Sequence, residues 1–368
     1  MDDDPVPEED DSAETEAPAP KRLSVMMTMA GREGGGAESF FARLAGGLTR
    51  REVEVSAVVR PHPPLLASLA AAGVKPETAP FRARLDLKTR TLMKRKLATE
   101  QPDVVLAFMQ RAAALTPKGP YRLVGRLGGP YPLGRFRHCD HLIAPAPHLV
   151  EAIVEAGWPR DRVSLLPNFL RDRAEERRPP PGLPRPDTGS LVLGLGRFHQ
   201  VKGFDTLIQA LAAVPNATLW MVGSGPEEVS LRHLAGSLNL TARIRFLGWQ
   251  DDPLPLLRMA DLLVVPSREE PFGNVVLEGW MAGCPVLASA SAGPSWLIED
   301  GRSGVLFKPG NPALLAAAMR SLLAEPALRG DLAEGGREAY LAGFSEDQGI
   351  DAYLAFFDRL CAASAKQA

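Results

Sequence analysis

The chain has 368 residues and a mass of 39.6 kDa, more than one ordinary hydrophobic core absorbs, so two domains of roughly 150 residues each are expected. At 45% hydrophobic and 23% charged, with three scattered cysteines and no apolar run of spanning length, the composition excludes a disordered, fibrous, membrane-spanning or disulfide-stapled protein. The net charge of −2 hides a segregation: residues 1–20 sum to −9, residues 21–186 to +13 and residues 187–368 to −6, so the two halves are suited to different partners.

Residues 1–20 are acidic and rich in Pro and Ala, without an apolar period, and are expected to be a disordered tail. They lack the basic and apolar regions of a secretory signal, so a cytoplasmic chain in a reducing compartment is expected. A buried strand at 23–29 runs into the glycine-rich turn 31–36. A helix at 37–48 follows, with Phe40, Phe41, Leu44 and Leu48 on one face. The alternation continues with strands at 53–59, 104–108, 122–126, 141–144 and 163–166, and helices near 64–72, 87–99 and 148–156. Strands alternating with helices predict a parallel sheet covered on both faces.

The Pro-rich stretch 178–186 cannot continue a helix or an inner strand and reads as a linker. Past it the alternation restarts. Strands are predicted at 191–195, 218–222, 244–247, 262–265 and 286–288. The helices between and after them fall at 204–213, up to about 238, 253–259 and 274–282, then about 312–325, 328–341 and 348–363. The fold class is therefore α/β, with two tandem Rossmann-like domains. The divisions are a tail at 1–20, an N-terminal domain at 21–178, a linker at 179–189 and a C-terminal domain at 190–345. The last stretch, 346–368, is expected to be a helix that packs back on the N-terminal domain.

In open parallel sheets, ligands bind at the carboxyl ends of strands. The strongest constellation there is 267–278, directly after the strand ending at Val265. Glu270 falls in the loop and Glu278 just over a turn into the helix beginning near Asn274. Gly273 lets the backbone approach a ligand, and the N–H groups of Gly273, Asn274 and Val275 suit phosphate or hydroxyl oxygens. A carboxylate at Glu278 can accept from two vicinal ribose hydroxyls. After the first strand of the second half, Arg197 and Lys202 present a fork and a point charge suited to a diphosphate. The dinucleotide pattern G-x-G-x-x-G fails there, because His199 replaces its third glycine, so an NAD enzyme is not indicated. Asp251 and Asp252 precede a helix and read as its N-cap, not as a metal site.

The order of 196–205, 221–226, 246–248, 260–267 and the Glu270/Glu278 pair resembles the retaining glycosyltransferases of family four, which have the GT-B fold. The resemblance runs from Lys21 over nearly the whole chain. It implies that Arg197 and Lys202 hold the donor diphosphate, with Gly36 against it across the cleft. It implies that Glu278 holds the ribose, that Glu270 is the catalytic carboxylate contacting the donor sugar, and that Phe272, Gly273, Asn274 and Val275 meet sugar and phosphate oxygens. The resemblance also marks two departures. A cleft histidine of many relatives is absent here, leaving Arg126 as the charged residue at that strand end and its catalytic stand-in for contact with sugar or acceptor, with His138 read as an ordinary helix residue. Trp296 stands where relatives often carry an acid. Pro167-Asn168 resembles a turn before the linker and reads as structural. Whether Glu270 is a covalent nucleophile or only orients the sugar stays open.

No cofactor or metal is required, since Arg197, Lys202 and a helix dipole can neutralise the departing diphosphate. Residues 81–97 carry seven cations and one acid beside an apolar stripe. Arg82, Arg84, Lys88, Arg90, Lys94, Arg95 and Lys96 therefore suit an anionic membrane surface or an anionic acceptor, while nucleic acid is not indicated. The expected function is transfer of a sugar from a nucleoside diphosphate-sugar to a lipid-linked or polysaccharide acceptor, such as lipopolysaccharide core. The expected place is the inner face of the cytoplasmic membrane, peripherally bound. A nucleotide-sugar 2-epimerase-like enzyme and a non-catalytic nucleotide-sugar-binding subunit share the layout and remain alternatives.

Overall fold

The computed structural model describes residues 22–31, 35–82, 86–173, 176, 182, 184–186 and 188–365. The acidic tail, Arg84 and part of the Pro-rich linker lie outside the described residues. The first lobe is built on β1 (Ser24–Met29), β2 (Glu54–Val59), β3 (Pro76–Thr78), β4 (Val104–Phe108), β5 (Arg122–Arg126), β6 (His141–Ala144) and β7 (Val163–Leu165). They pair in parallel in the order β3-β2-β1-β4-β5-β6-β7. The second lobe has β8 (Ser190–Leu195), β9 (Ala217–Val222), β10 (Ile244–Gly248), β11 (Leu262–Val265), β12 (Val286–Ser289) and β13 (Val305–Phe307). Its parallel order is β10-β9-β8-β11-β12-β13.

Both sheets are apolar on both faces, as helix-covered parallel sheets must be. Along β1, Val25, Met27 and Met29 point to a core shared with Phe40, Phe41 and Leu44 of the Gly36–Arg50 helix. Met26 points to the opposite core, with Phe81 and Met93. The alternation is the period of two that a strand imposes. The helix Glu346–Ala365 ends the second lobe in sequence yet lies on the first in space. Its Ile350, Tyr353, Phe356 and Phe357 are buried in the same core as Phe40 and Phe108. Leu170 on the outgoing crossing bridges to Ser345 at the start of this return.

The structure adds elements that apolar periodicity did not show. β3 and β13 are three-residue edge strands, too short to display alternation. The helix Met109–Leu115 is a short one with three consecutive alanines, and the helix Ala292–Leu297 contains both Gly and Pro. His138 lies in a turn, not a helix, its ring Nε2 bonded to the Ala113 carbonyl at 2.8 Å.

In each sheet the strand order reverses at one place, between β1 and β4 and between β8 and β11. Loops leaving the carboxyl ends of these strands diverge to opposite faces and leave a crevice there. The two crevices line one cleft of about 1000 Å3.

Candidate active site

The C-terminal wall of the cleft is two loops stitched to each other. After β8 the chain makes a short turn at Gln200–Lys202, and after β11 it passes through Ser267 to Gly273. The amide of Arg268 donates to the Val201 carbonyl at 2.7 Å, and its guanidinium grips Asp205 at 2.8 and 2.6 Å. That stitching brings Lys202 Nζ to Glu270 Oε2 at 2.5 Å, with the buried Ser267 hydroxyl 3.3 Å from the same oxygen. The backbone behind Glu270 is fixed as well, because its carbonyl accepts from the Gly293 amide at 2.8 Å. Arg197 lies exposed on the rim of the cleft.

Gly273 has φ +106°, a left-handed conformation that favours glycine, and it starts the helix Asn274–Ala282. The first amides of that helix open toward the cleft, with Phe272, Gly273, Asn274 and Val275 all on its lining. Glu278 is one turn further on, on the same lining. Burial pushes its carboxyl up to about 7, Arg43 and Lys202 pull it down, and Glu270 pushes it up again. Arg43 comes from the other lobe, where burial lowers its own basicity and its Nη1 donates to the Phe169 carbonyl at 2.9 Å.

The N-terminal wall begins with the helix Gly36–Arg50. Gly36 faces the C-terminal lobe so closely that a Cβ there would lie 2.5 Å from Asn274 Nδ2. Two helix N-termini, one from each lobe, thus face one space. Asn274 Oδ1 also accepts from Asn168 Nδ2 at 2.7 Å across the lobes. Asn168 Oδ1 in turn accepts from Arg126 at 2.6 Å, and Arg126 Nε donates to the Tyr353 hydroxyl at 2.7 Å. Arg126 is therefore on the cleft lining, yet it is 3% exposed and committed to neutral partners. Its guanidinium lies 4.3 Å from the Phe40 ring centre.

The structure thus gathers Gly36, Arg126, Arg197, Lys202, Glu270, Phe272, Gly273, Asn274, Val275 and Glu278 on one cleft. The basic segment lies elsewhere, on the helix Leu87–Glu100, which is not part of the lining. Arg82, Lys88, Arg90, Lys94 and Arg95 are exposed there. Lys96 is not part of that surface: it is 8% exposed and pairs with Glu77 and Glu100, while Arg95 also reaches Glu77 at 3.0 Å. Asp252 does more than cap its helix. It accepts from Leu254 N at 3.3 Å and takes both Arg173 Nη atoms at 2.9 Å. Trp296 packs against Phe272 and Phe344, with ring centres 6.0 and 5.9 Å away, so it supports the loop from beneath. Among the described residues, no three His, Cys, Asp or Glu side chains converge to hold a metal ion.

Sequence reasoning missed Arg43, Arg111, Arg135 and Trp249, all on the lining. Trp249, 51% exposed directly after β10, was findable from its place at a strand's carboxyl end. Nothing local marks the arginines, because only the packing of their helices and loops aims them inward.

Residues 176–339 match the family described as Glycosyl transferases group 1, and residues 34–172 match Glycosyltransferase Family 4. The chain is 38% identical to the lipopolysaccharide core biosynthesis glycosyltransferase LpsD of Rhizobium meliloti (strain 1021), over 92% of this chain and 98% of that one. It is 36% identical to LpsE of the same organism, over 87% of this chain and 95% of that one. Among solved structures, Anabaena HepE in complex with UDP-glucose superposes with a TM-score of 0.80 at 19% identity, covering 92% of this chain and 100% of that one. Two facing sheets with their switch points on one cleft are the architecture of a GT-B glycosyltransferase. More narrowly, the chain belongs to glycosyltransferase family four.

Proposed function

We propose that this enzyme transfers a sugar, with retention of configuration, from a nucleoside diphosphate-sugar to a saccharide of the lipopolysaccharide core. The observation that carries the reading is the Lys202–Glu270 pair set beside Glu278 and facing Gly36 within one cleft. The relatives' activity, lipopolysaccharide core biosynthesis, supports the acceptor class.

In this reading Glu278 accepts from the ribose hydroxyls, while Arg197, Lys202 and the amides of Gly273 to Val275 take the diphosphate. Gly36 leaves room for the diphosphate between the two helix N-termini, whose dipoles stabilise the charge that grows on the leaving group. Glu270, held by Lys202, orients the donor sugar for attack on its departing face. Arg126 positions Asn168 and through it Asn274. No metal takes part, because these cations and dipoles neutralise the diphosphate. The exposed face of the basic helix docks on anionic lipid, keeping the enzyme peripheral to the inner face of the membrane where a lipid-linked acceptor would lie.

Incubating the enzyme with UDP-, ADP- and GDP-sugars and deacylated core oligosaccharide tests the reading, with chelator present and absent. Transfer that withstands chelator and falls at least a hundredfold in Glu270→Ala, with nucleotide affinity little changed, is expected. Epimerised donor without acceptor, or donor binding without hydrolysis or transfer, would favour the 2-epimerase-like enzyme or the non-catalytic subunit.

A further inference from the structure

We propose that the N-terminal wall of the cleft is a subsite for an anionic saccharide, whose phosphate or carboxylate is taken by Arg111 and Arg135, with the charge of the buried Arg126 on the same lining. The proposal rests on the glycosyltransferase reading and specifies its acceptor. Arg111 lies in the stretch after β4, Arg126 is the last residue of β5 and Arg135 lies in the stretch after it, all near carboxyl strand ends where substrates of parallel sheets bind, and all three line the cleft.

Their partners are what set them apart. Arg111 gives one bond, to the Phe81 carbonyl at 3.3 Å. Arg126 bonds a phenol and an amide oxygen and faces two aromatic rings. Arg135 lies exposed at the end of its short 3-10 turn. Among the described residues, none of the three has a carboxylate within ion-pair distance. Arg173, Arg185, Arg268 and Arg337 do, at 2.5 to 2.9 Å. Lys96 gives the sharpest contrast. It is as inaccessible as Arg126, at 8% against 3%, and it holds two carboxylates.

A buried cation without a counter-charge is costly, by several kcal/mol before compensation. The neutral bonds and rings around Arg126 offset part of that cost. An incoming anion supplies the rest, and an arginine fork matches a phosphate or carboxylate edge. The backbone is also strained here: Met109, directly after β4 and two residues before Arg111, has φ +64°, a conformation that a non-glycine residue keeps only where its surroundings enforce it. Among the described residues the acid on this wall is Glu38, which lies over the glycine loop, its Oε1 1.9 Å from where a Cβ of Gly31 would be. The donor diphosphate does not satisfy these arginines, because its cations, Arg197 and Lys202, sit on the opposite wall.

The test titrates glucose 6-phosphate, gluconate and glucose calorimetrically into the full chain, saturated with whichever of UDP, ADP or GDP stabilises it most. Failure of all three nucleotides would strike the donor reading alone, and the sugars are then titrated without nucleotide. At least one anionic sugar is expected to bind tenfold or more tightly than glucose. That preference is expected to vanish in the double variant Arg111→Gln/Arg135→Gln, to survive in Arg111→Lys/Arg135→Lys, and to survive in Lys202→Ala. Equal binding of glucose and both anionic sugars would overturn the proposal. So would a preference that persists in the glutamine pair or disappears with Lys202.

Discussion

At the scale of single residues, the informative group is Glu278. Its carboxyl is held up to about 7, first by burial, so near neutral pH the empty site is a mixture of acid and carboxylate. In the proposed binding mode the carboxylate is the form that accepts from both ribose hydroxyls, so nucleoside diphosphate affinity should rise with pH through 7. The ionised fraction is about a tenth at pH 6, giving a gain of about tenfold between pH 6 and 8. Calorimetry across that range checks it against Glu278→Gln, which retains the nucleotide's own titration and should lose this one. Identical pH profiles for the two proteins would remove Glu278 from the ribose site. The sign for stability is opposite. A carboxyl raised in the fold stabilises it fully below its unfolded value of 4.5, and that contribution is lost as pH rises through 7.

At the scale of elements, the helix Leu87–Glu100 shows what a linear reading sees. Its position follows from the sequence, and the structure adds the N-cap: Asp86 accepts from the Thr89 amide at 3.0 Å. Its charge does not read out directly, since Glu77 on the edge strand β3 takes Arg95 and Lys96 out of the free set. The proposed membrane face therefore narrows to Lys88, Arg90 and Lys94 beside Leu87, which is 73% exposed. At about 1 kcal/mol per cation near an anionic surface, replacing those three with Gln should weaken binding to phosphatidylserine-containing vesicles by roughly a hundredfold. Co-sedimentation at physiological salt measures it, and undiminished binding would reject the face. The two parallel sheets were legible for a related reason: long apolar strands between amphipathic helices carry their period in the residues themselves. β3, β13 and the helix Met109–Leu115 were not, because three residues or a run of alanines carry no period and are defined by their neighbours. The cleft followed the same division. Lys202, Glu270 and Glu278 sit beside glycines at strand ends and could be picked out, whereas Arg111 and Arg135 depend on a tertiary arrangement that no spacing encodes.

At the scale of the whole molecule, sequence order and packing order disagree at the C-terminus. The helix Glu346–Ala365 is joined to the second lobe, but its aromatic residues complete the core of the first. Phe357 is fully buried there, 5.9 Å from Tyr353 and 5.6 Å from Phe356 between ring centres. Tyr353 supports Arg126, which bonds Asn168, which bonds Asn274 on the second lobe. The end of the chain thus acts as a strap, and loosening it should weaken the lobe to which it is not directly attached. Phe357→Ala removes a large buried ring and should cost about 3–5 kcal/mol, charged to the N-terminal lobe. Hydrogen exchange followed by mass spectrometry resolves the lobes: β1 and β4 should lose protection while β8 and β11 keep theirs, and nucleoside diphosphate should still protect the loop 267–275. Equal loss in both sheets would mean that the lobes unfold as one unit. Loss confined to the second sheet would mean that the helix stabilises the lobe it follows in sequence and not the one whose core it fills.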